Sequence, residues 1–599
     1  LTIVVAVLIS MFVSFTLDPM LSSIWHDPAL EARPDGAPRT WYERSIGRVT
    51  AWFDRLTESL AGLYQQMLGW ALDHPGKTLL GAGSTLVLSL MLTPLLGTEF
   101  VPKADYSETF VTFYTPPGTA IETTEARARE VDRIVRAMPE VSTTLSTINT
   151  GIALGRNQVS VYIKLKDRHL RQRSVDQMSV PLRQVLNRVA GITVTHVGML
   201  DAMGNQKPIQ LSIQGSDLRT LSRLSDTLLE RLRQVPGLVD IDTSLKPDKP
   251  TIDVTIDREA AADRGLSVAS ISRSLDVLVS GRVAGSWRAD DDQNYDIRVS
   301  VAPASRQHGQ DIASTPLTIG QNVDGSTRSV RLSQVASLSD GVGPSQINRR
   351  DLNREIEFTA NVTGRTVGEV SADISRILAD TPWPPGYRSR FGGSTKDMKE
   401  SFGYALSALG LAIVFIYMIL ASQFRSFLQP LALMSSLPLT LIGVVVALLV
   451  FGSSMSMFSV IGVIMLMGLV TKNAILLVDF ANRARTGLEG EHGVHEPLPR
   501  REALLLAARV RLRPILMTTL AMIFGMVPLA FGVSEGAEQR GPMGQAVIGG
   551  VLASSVLTLV VVPVIYGYTD RLSTWIKRQW HRQEGACPTI SDAPTRGSS

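Results

Sequence analysis

The sequence predicts a polytopic α-helical membrane protein with a large α+β domain outside the bilayer, and three observations support this. Apolar runs at about 2–17, 78–97, 403–421, 428–451, 455–481, 514–533 and 544–567 each approach the roughly 20 residues a spanning helix needs. Between the second and third runs lie about 300 residues of ordinary soluble composition. With 44% hydrophobic and 19% charged residues, the 599-residue chain is too apolar for an average soluble protein and too charged for spanning helices alone.

Charge distribution orients the spans. After Ala481 the chain reads NRARTGLEGEHGVHEPLPRREALLLAARVRLRP, rich in arginine, whereas the loop after Phe531 carries only Arg540. The positive-inside rule places the arginine-rich loop in the cytoplasm, and alternation from there places the large soluble stretch outside. The net charge of +4 adds little. The single cysteine, Cys587, allows no disulfide or cysteine metal cluster within one chain, so the exported domain must rely on its own core.

The first span, residues 1–22, opens with LTIVVAVLISMFVSF, lacking a methionine, a basic flank and a cleavage site. This is neither a signal peptide nor a natural start, and the expectation is a chain truncated inside a membrane helix. Residues 39–74 form an amphipathic helix, with Ile46, Val49, Phe53, Leu56, Leu60, Leu63 and Met67 spaced by threes and fours along one stripe. A coiled-coil seam has the same spacing. Trp41, Trp52, Trp70 and the flanking spans favour a helix lying on the cytoplasmic membrane surface. The second span, 77–97, leads outward.

The soluble part repeats one grammar. A strand at Phe110–Tyr114 meets a turn at Pro116, Pro117 and Gly118, and a helix follows Thr119. VSVYIKLK, a helix over 174–189 and ITVTHVG come next. KPIQLSIQGS with a helix over 217–234 and VDIDTSL, then REIEFTANVTG with a helix over 367–380 and YRSRFGG, repeat the order. Strand–helix–strand units without long parallel runs predict small split βαβ sandwiches of ferredoxin-like type. The block between Pro250 and Asp340 breaks the pattern and reads as an insertion. Five further spans occupy 400–570, the last small-faced through Gly544, Gly549, Gly550, Ser554 and Ser555, which permits close helix packing. A polar cytoplasmic tail takes up 571–599.

The chemistry concentrates at Lys472, well inside the run Met455–Ala481, which at about 40 Å is long enough to cross a bilayer. A cation placed in hydrocarbon costs several kcal/mol, so it faces the bundle interior and pairs, or else snorkels to the interface. Snorkelling would carry the head group past AILLV. The nearest acid on the same helix, Asp479, is about 10 Å along the axis and out of reach. The expected partner is therefore on another segment. Arg511 at the mouth of the next span and Thr518 seven residues further in share one face. With Lys472 and a carboxylate they would form a proton site, the acid pairing with lysine when charged and releasing it when protonated. The alternative has Thr518 bonding its own helix and Arg511 anchoring to phosphates.

GLVTKNAILLVDFAN followed by RLRPILMTTLAMIFGMVPLAF, with FVPKADYS after the second span, resembles the C-terminal half of a resistance-nodulation-division efflux permease of the hydrophobe/amphiphile multidrug branch. The resemblance covers nearly the whole chain, from the sixth of twelve expected helices to the twelfth. It implies that Lys472, Arg511 and Thr518 belong to a proton relay completed by two adjacent aspartates on the fourth helix. It also implies first and second porter subdomains at 98–206 and at 207–250 with 340–395, and a docking subdomain at 251–339. The implied assembly is an inner-membrane homotrimer working with a periplasmic adaptor and an outer-membrane channel on amphiphilic small molecules, with protons as the coupled ion, no cofactor and no nucleic acid. The loop TINTGIALGRNQ, about 147–158, lacks the phenylalanines that relatives carry near the deep pocket, leaving Tyr162 and Leu145 as substrate-contact candidates.

Two alternatives stand beside this. A metal-exporting branch uses methionine ligands, and HVGMLDAMG offers His196, Met199 and Met203, soft enough for Cu(I). A membrane-tethered scaffold that binds a partner without transport belongs to another class, but it has no need of a buried lysine. No HExxH, GxSxG or Walker-type motif suggests an enzyme.

Overall fold

The structure is a computed structural model that describes residues 2–24, 41–150, 153, 155–199, 207–321, 324–487, 497–532 and 535–584. It opens with α1 (Thr2–Ile24), α2 (Trp41–Asp73) and α3 (Pro75–Leu92). Seven helical segments are long and apolar enough to cross a membrane among the described residues, and each contains one of the predicted runs or most of it.

The α2 helix lies where its periodicity predicts, but a different face is buried. Tyr64, Leu68 and Ala71 are the residues packed inside, the tyrosine donating to Leu559 O at 2.8 Å. Phe53, Leu56, Leu60, Leu63 and Met67 of the predicted stripe stay exposed. Ile46 and Val49 lie outside the residues whose side chains are described. The buried face was hidden because tyrosine and alanine contribute little to an apolar count, while the longer side chains cover the side away from the bundle.

The first soluble unit runs β1 (Glu108–Tyr114), α4 (Ile121–Arg136), β2 (Val141–Ile148), β3 (Gln158–Leu165), α5 (Val175–Leu186), β4 (Thr193–Gly198). Its antiparallel sheet has the order β2-β3-β1-β4, so β3 sits between the two strands joined by α4. The helices bury Val131, Val135, Met178, Leu182 and Leu186 against Val111, Phe113, Val161 and Ile163. Strand alternation turns Phe110 and Tyr162 to the opposite face. A capping box between Ser174 and Gln177 starts α5.

The second unit starts with β5 (Ile209–Gly215), α6 (Leu218–Arg233) and β6 (Leu238–Thr243). An insertion follows: β7 (Lys249–Ile256), α7 (Arg258–Asp263), α8 (Val268–Leu275), β8 (Arg282–Arg288), β9 (Asn294–Val299), α9 (Gly309–Ala313), β10 (Pro316–Gln321), β11 (Thr327–Arg331) and β12 (Ala336–Gly343). Pairing of β7 with β12 closes its base, and Ile271, Leu317, Leu332 and Val335 fill its own core. The unit resumes with β13 (Asn348–Arg350), β14 (Asn353–Val362), α10 (Val367–Ala379) and β15 (Arg388–Gly392). The order β6-β14-β5-β15 repeats the connectivity of the first unit.

Helix α11 (Gly393–Phe424) grows directly out of β15. Then come α12 (Gln429–Met434), α13 (Ser436–Phe451), α14 (Met457–Thr486), α15 (Arg500–Ala530) and α16 (Gly541–Glu584). Their closest seam is α13 on α16. A Cβ on Gly443 would lie 2.1 Å from the Gly549 carbonyl oxygen, and one on Gly549 2.3 Å from that of Gly443, so only glycine fits at either position. The soluble region and the arginine-bearing α14–α15 connection lie at opposite ends of the bundle. Glu99 N donates to Met455 O at 3.0 Å where α14 begins, while Arg485 and Arg500 engage Asp570 at the far end.

Candidate functional site

A capping box between Ser456 and Ser459 starts α14, which then stays apolar as far as Lys472. Val470, Thr471, Asn473 and Ala474 are buried, but Lys472 itself points out of the bundle and is exposed. Among the described residues no carboxylate comes within ion-pair distance of it. Asp479, the nearest acid on the helix, pairs with Arg483 at 3.0 Å.

Depth along the helices follows from a buried polar contact that the sequence did not reveal. Ser555 Oγ on α16 lies 3.3 Å from Thr519 Oγ1 on α15 and accepts from Asn473 Nδ2 on α14 at 3.5 Å. Lys472 and Thr518 each precede a member of this trio by one residue, so they sit at one level of the bundle. The signal for the trio was there in part: Asn473 adjoins the lysine and Ser555 belongs to the small face of α16. What was missing is the pairing between residues roughly 40 to 80 positions apart in the chain, which no local periodicity encodes.

Thr518 Oγ1 donates to Ile515 O at 3.1 Å, the intrahelical bond the sequence also allowed. Arg511 lies closer to the arginine-bearing end of α15, its guanidinium 5.0 Å from the centroid of the Phe480 ring. Its Nε is buried without an acceptor among the described residues. Beyond it, Arg485 binds Tyr566 Oη at 2.7 Å and Asp570 at 3.0 Å, and Arg500 stands 3.6 Å from the same carboxylate.

In the first soluble unit Leu145 and Tyr162 are direct cross-strand partners. Tyr162 also faces Phe110, with ring centroids 5.3 Å apart in an edge-to-face arrangement. Phe110, which the sequence reading passed over, thus completes a small aromatic face on the side of the sheet away from the helices. Residues 151, 152 and 154 of the neighbouring loop lie outside the described residues.

His196 is buried, and both ring nitrogens are engaged. Nε2 lies 3.0 Å from Gly198 O, which makes it the protonated nitrogen, and Nδ1 accepts from Asn361 Nδ2 at 2.8 Å. Met199 packs against the core of the first unit, and Met203 lies outside the described residues. The imidazole therefore has no lone pair free for a metal. It belongs instead to a network joining the two units. Asp240 on β6 takes Arg183 of α5 in two bonds of 2.6 and 2.8 Å, together with Asn361 Nδ2 at 2.8 Å and Val197 N at 3.1 Å. Asp240 sits at a β-bulge with φ of +52°, a left-handed turn that aims its carboxylate across the interface. Burial pushes His196 down to about 4, with the nearby Lys207 ammonium adding to this. Burial by itself would raise Asp240, but Arg183, Asn361 and the Val197 amide outweigh it and hold the carboxyl below its ordinary value.

A cavity of about 380 Å³ opens between the two units and the α15–α16 connection. Phe100, Val101, Val175, Val197, Met199, Val362 and Val367 supply its apolar wall, and its charges come from Glu99, Lys103, Asp105, Arg168, Asp176, Arg183, Arg365 and Glu538. Tyr162 and Leu145 are not part of it. A second space of about 560 Å³ shares Glu99, Lys103, Asp176, Arg365 and Glu538 and reaches down to Leu448 and Leu449 at the end of α13. Burial raises Glu99 above the usual carboxylate range.

Apolar helices surmounted by two units of identical connectivity, one interrupted by an insertion, define a resistance-nodulation-division permease fold. The chain belongs to the AcrB/AcrD/AcrF family, which it matches over residues 1–570. Two crystal forms of a heavy metal efflux pump have the same fold, with a TM-score of 0.72 and 22% identity in each case. Form II aligns over 85% of this chain and 51% of its own length, form I over 86% and 52%. This chain thus spans about half the length of those solved chains.

Proposed function

We propose that this chain is part of a proton-driven exporter of amphiphilic or hydrophobic compounds rather than an enzyme. The observation that carries the proposal is Lys472, a cation at mid-length of an apolar helix, level with Thr518 and turned away from the helices described here. A carboxylate facing it, such as the aspartates expected on the family's fourth helix, pairs with the ammonium when ionised and lets it go when protonated. The free energy of that exchange moves the helices that carry Lys472, Thr518 and Arg511. The 380 Å³ cavity, whose apolar wall is bordered by charged residues of both signs, has the size and lining that suit a drug-sized amphiphile. Family membership supports a place in the bacterial inner membrane and, in this proposal, a homotrimer working with a periplasmic adaptor and an outer-membrane channel. The positive-inside rule supports the arginine-rich end as the cytoplasmic side. In this reading the two soluble units are split βαβ porter subdomains and the insertion is the docking subdomain.

The test is export of a fluorescent cationic dye from cells lacking their own pumps, expressing the full reading frame that contains this chain. Wild type exports the dye, while Lys472→Ala and a protonophore each abolish export with assembly intact. Normal export by Lys472→Ala makes the lysine an interfacial anchor and sinks the proton mechanism. Absence of dye export from wild type, together with raised copper or silver tolerance, would assign the chain to metal export.

A further inference from the structure

The connection between α15 and α16 does more than turn the chain. The end of α15 is held to the start of α16 by Gln545 Nε2, which donates to Ala530 O at 3.0 Å. Gly544 packs so closely that a Cβ there would lie 2.8 Å from Ala530 N. The short helical turn Ala537–Gln539 is therefore fixed to the end of the helix that carries Arg511 and Thr518. Its far side grips the first soluble unit at several points. Glu535 accepts from Ser107 Oγ at 3.2 Å, Gln539 Oε1 accepts from Tyr106 Oη at 3.0 Å, and Glu538 pairs with Arg168. Gly536 has φ of +71° and lies so close under Tyr106 that a Cβ would come 2.3 Å from the ring.

The residues gripped are themselves anchored in the unit. Ser107 carries its own left-handed φ of +56°, and its carbonyl accepts from Leu165 N at 2.8 Å at the end of β3. Asp105 accepts from Ser107 N at 2.9 Å and from Val175 N at 3.1 Å, at the start of α5, and is paired with Arg171. At its other end α5 holds Arg183 in the two-bond pair with Asp240 of the second unit. A single short loop of the membrane bundle is thus linked, through Ser107 and Asp105, to the helix that joins both soluble units.

We propose that Glu535–Gln539 is the joint through which displacement of α15 is passed to the first soluble unit, with Glu538 and Arg168 as its positioning pair. This rests on the proton-driven reading for its source of motion. The pair is partly exposed and contributes little to stability. Its role is to fix direction: Glu538 Oε2 is buried with no donor among the described residues, so Arg168 supplies the cation that holds this carboxylate in place.

The test is a mutant cycle in the full reading frame at one pH, with two readouts: dye export, and deuterium uptake by the peptide covering Arg168–Val175. Lys472→Ala should change that peptide's uptake in an otherwise wild-type protein. Glu538→Arg and Arg168→Glu should each lower export about tenfold and erase the peptide's response to Lys472→Ala; because both residues border the 380 Å³ cavity, the peptide's response decides and export alone does not. Combining Glu538→Arg with Arg168→Glu should restore export and response. An unchanged response to Lys472→Ala in either single variant overturns the joint, as does a peptide blind to Lys472→Ala in the wild-type background. If wild type exports no dye but the response exists and needs the pair, the joint stands and the substrate assignment falls.

Discussion

Two charges, Asp240 in the soluble region and Lys472 in the bundle, meet opposite fates. Asp240 is buried and answered at every side within this chain, by Arg183, Asn361 and the Val197 amide. Lys472 lies on an apolar helix and has no carboxylate within reach among the described residues. A charge whose partners are all built in stabilises one arrangement of its neighbours. A charge left open responds to whatever is brought to it, which is the property a switching site requires. The soluble network is accordingly a clamp between two units, whereas in the proposed mechanism the lysine is one half of a contact that another helix completes.

The strongest way to break the comparison is Asp240→Ala. It strips the half-buried Arg183, Asn361 and the Val197 amide of their acceptor, a loss of about 3–5 kcal/mol, read as a lowered melting temperature of the purified protein. A melting temperature within a degree of wild type would show that the clamp carries no load. Next is acid. His196 is held neutral with its pKa at about 4 against an ordinary 6.5, so between these values the unfolded chain binds a proton that the fold refuses. Stability should therefore fall by about 3 kcal/mol as pH drops from 6.5 to 4, at roughly 1.4 kcal/mol per pH unit. Lys207, lowered to about 8, stays charged throughout this window, and Asp240 titrates below it. The slope should flatten in His196→Gln; an equally steep variant would assign it to other groups.

In the bundle, Gly549→Val drives a side chain into the Gly443 carbonyl and should cost about 1–3 kcal/mol, measured as the detergent melting temperature. The smallest effect is expected from Lys472→Met in this chain on its own, within about 0.5 kcal/mol of wild type, because no carboxylate among the described residues is stranded. A loss of several kcal/mol would place Lys472 in a built-in pair and erase the contrast with Asp240.

The spans were legible because hydropathy is a property of contiguous residues, and Lys472 stood out because a charge interrupts such a run. The strand–helix order of both soluble units could be read from alternation and turn residues in the same way. The contacts between elements could not. Asn361 reaches Asp240 and His196 across separations of 121 and 165 residues, and the bulge that aims Asp240 depends on how β6 is accommodated against β14. Phe110 reads in sequence as one more strand residue until β3 brings Tyr162 against it. The buried face of α2 depends on which side α15 and α16 present.

The Gly443–Gly549 contact sets a limit on how the bundle can deform. Where two backbones touch, there is no layer of side chains to change rotamer and let one helix slide over the other. The α13–α16 seam therefore behaves as a weld, and the two helices translate together or not at all. Relative motion is left to the seams lined by long, flexible side chains. One of them is α14 against α15, where Leu476, Leu477, Leu512 and Leu516 can readjust while Lys472 and Thr518 change their spacing.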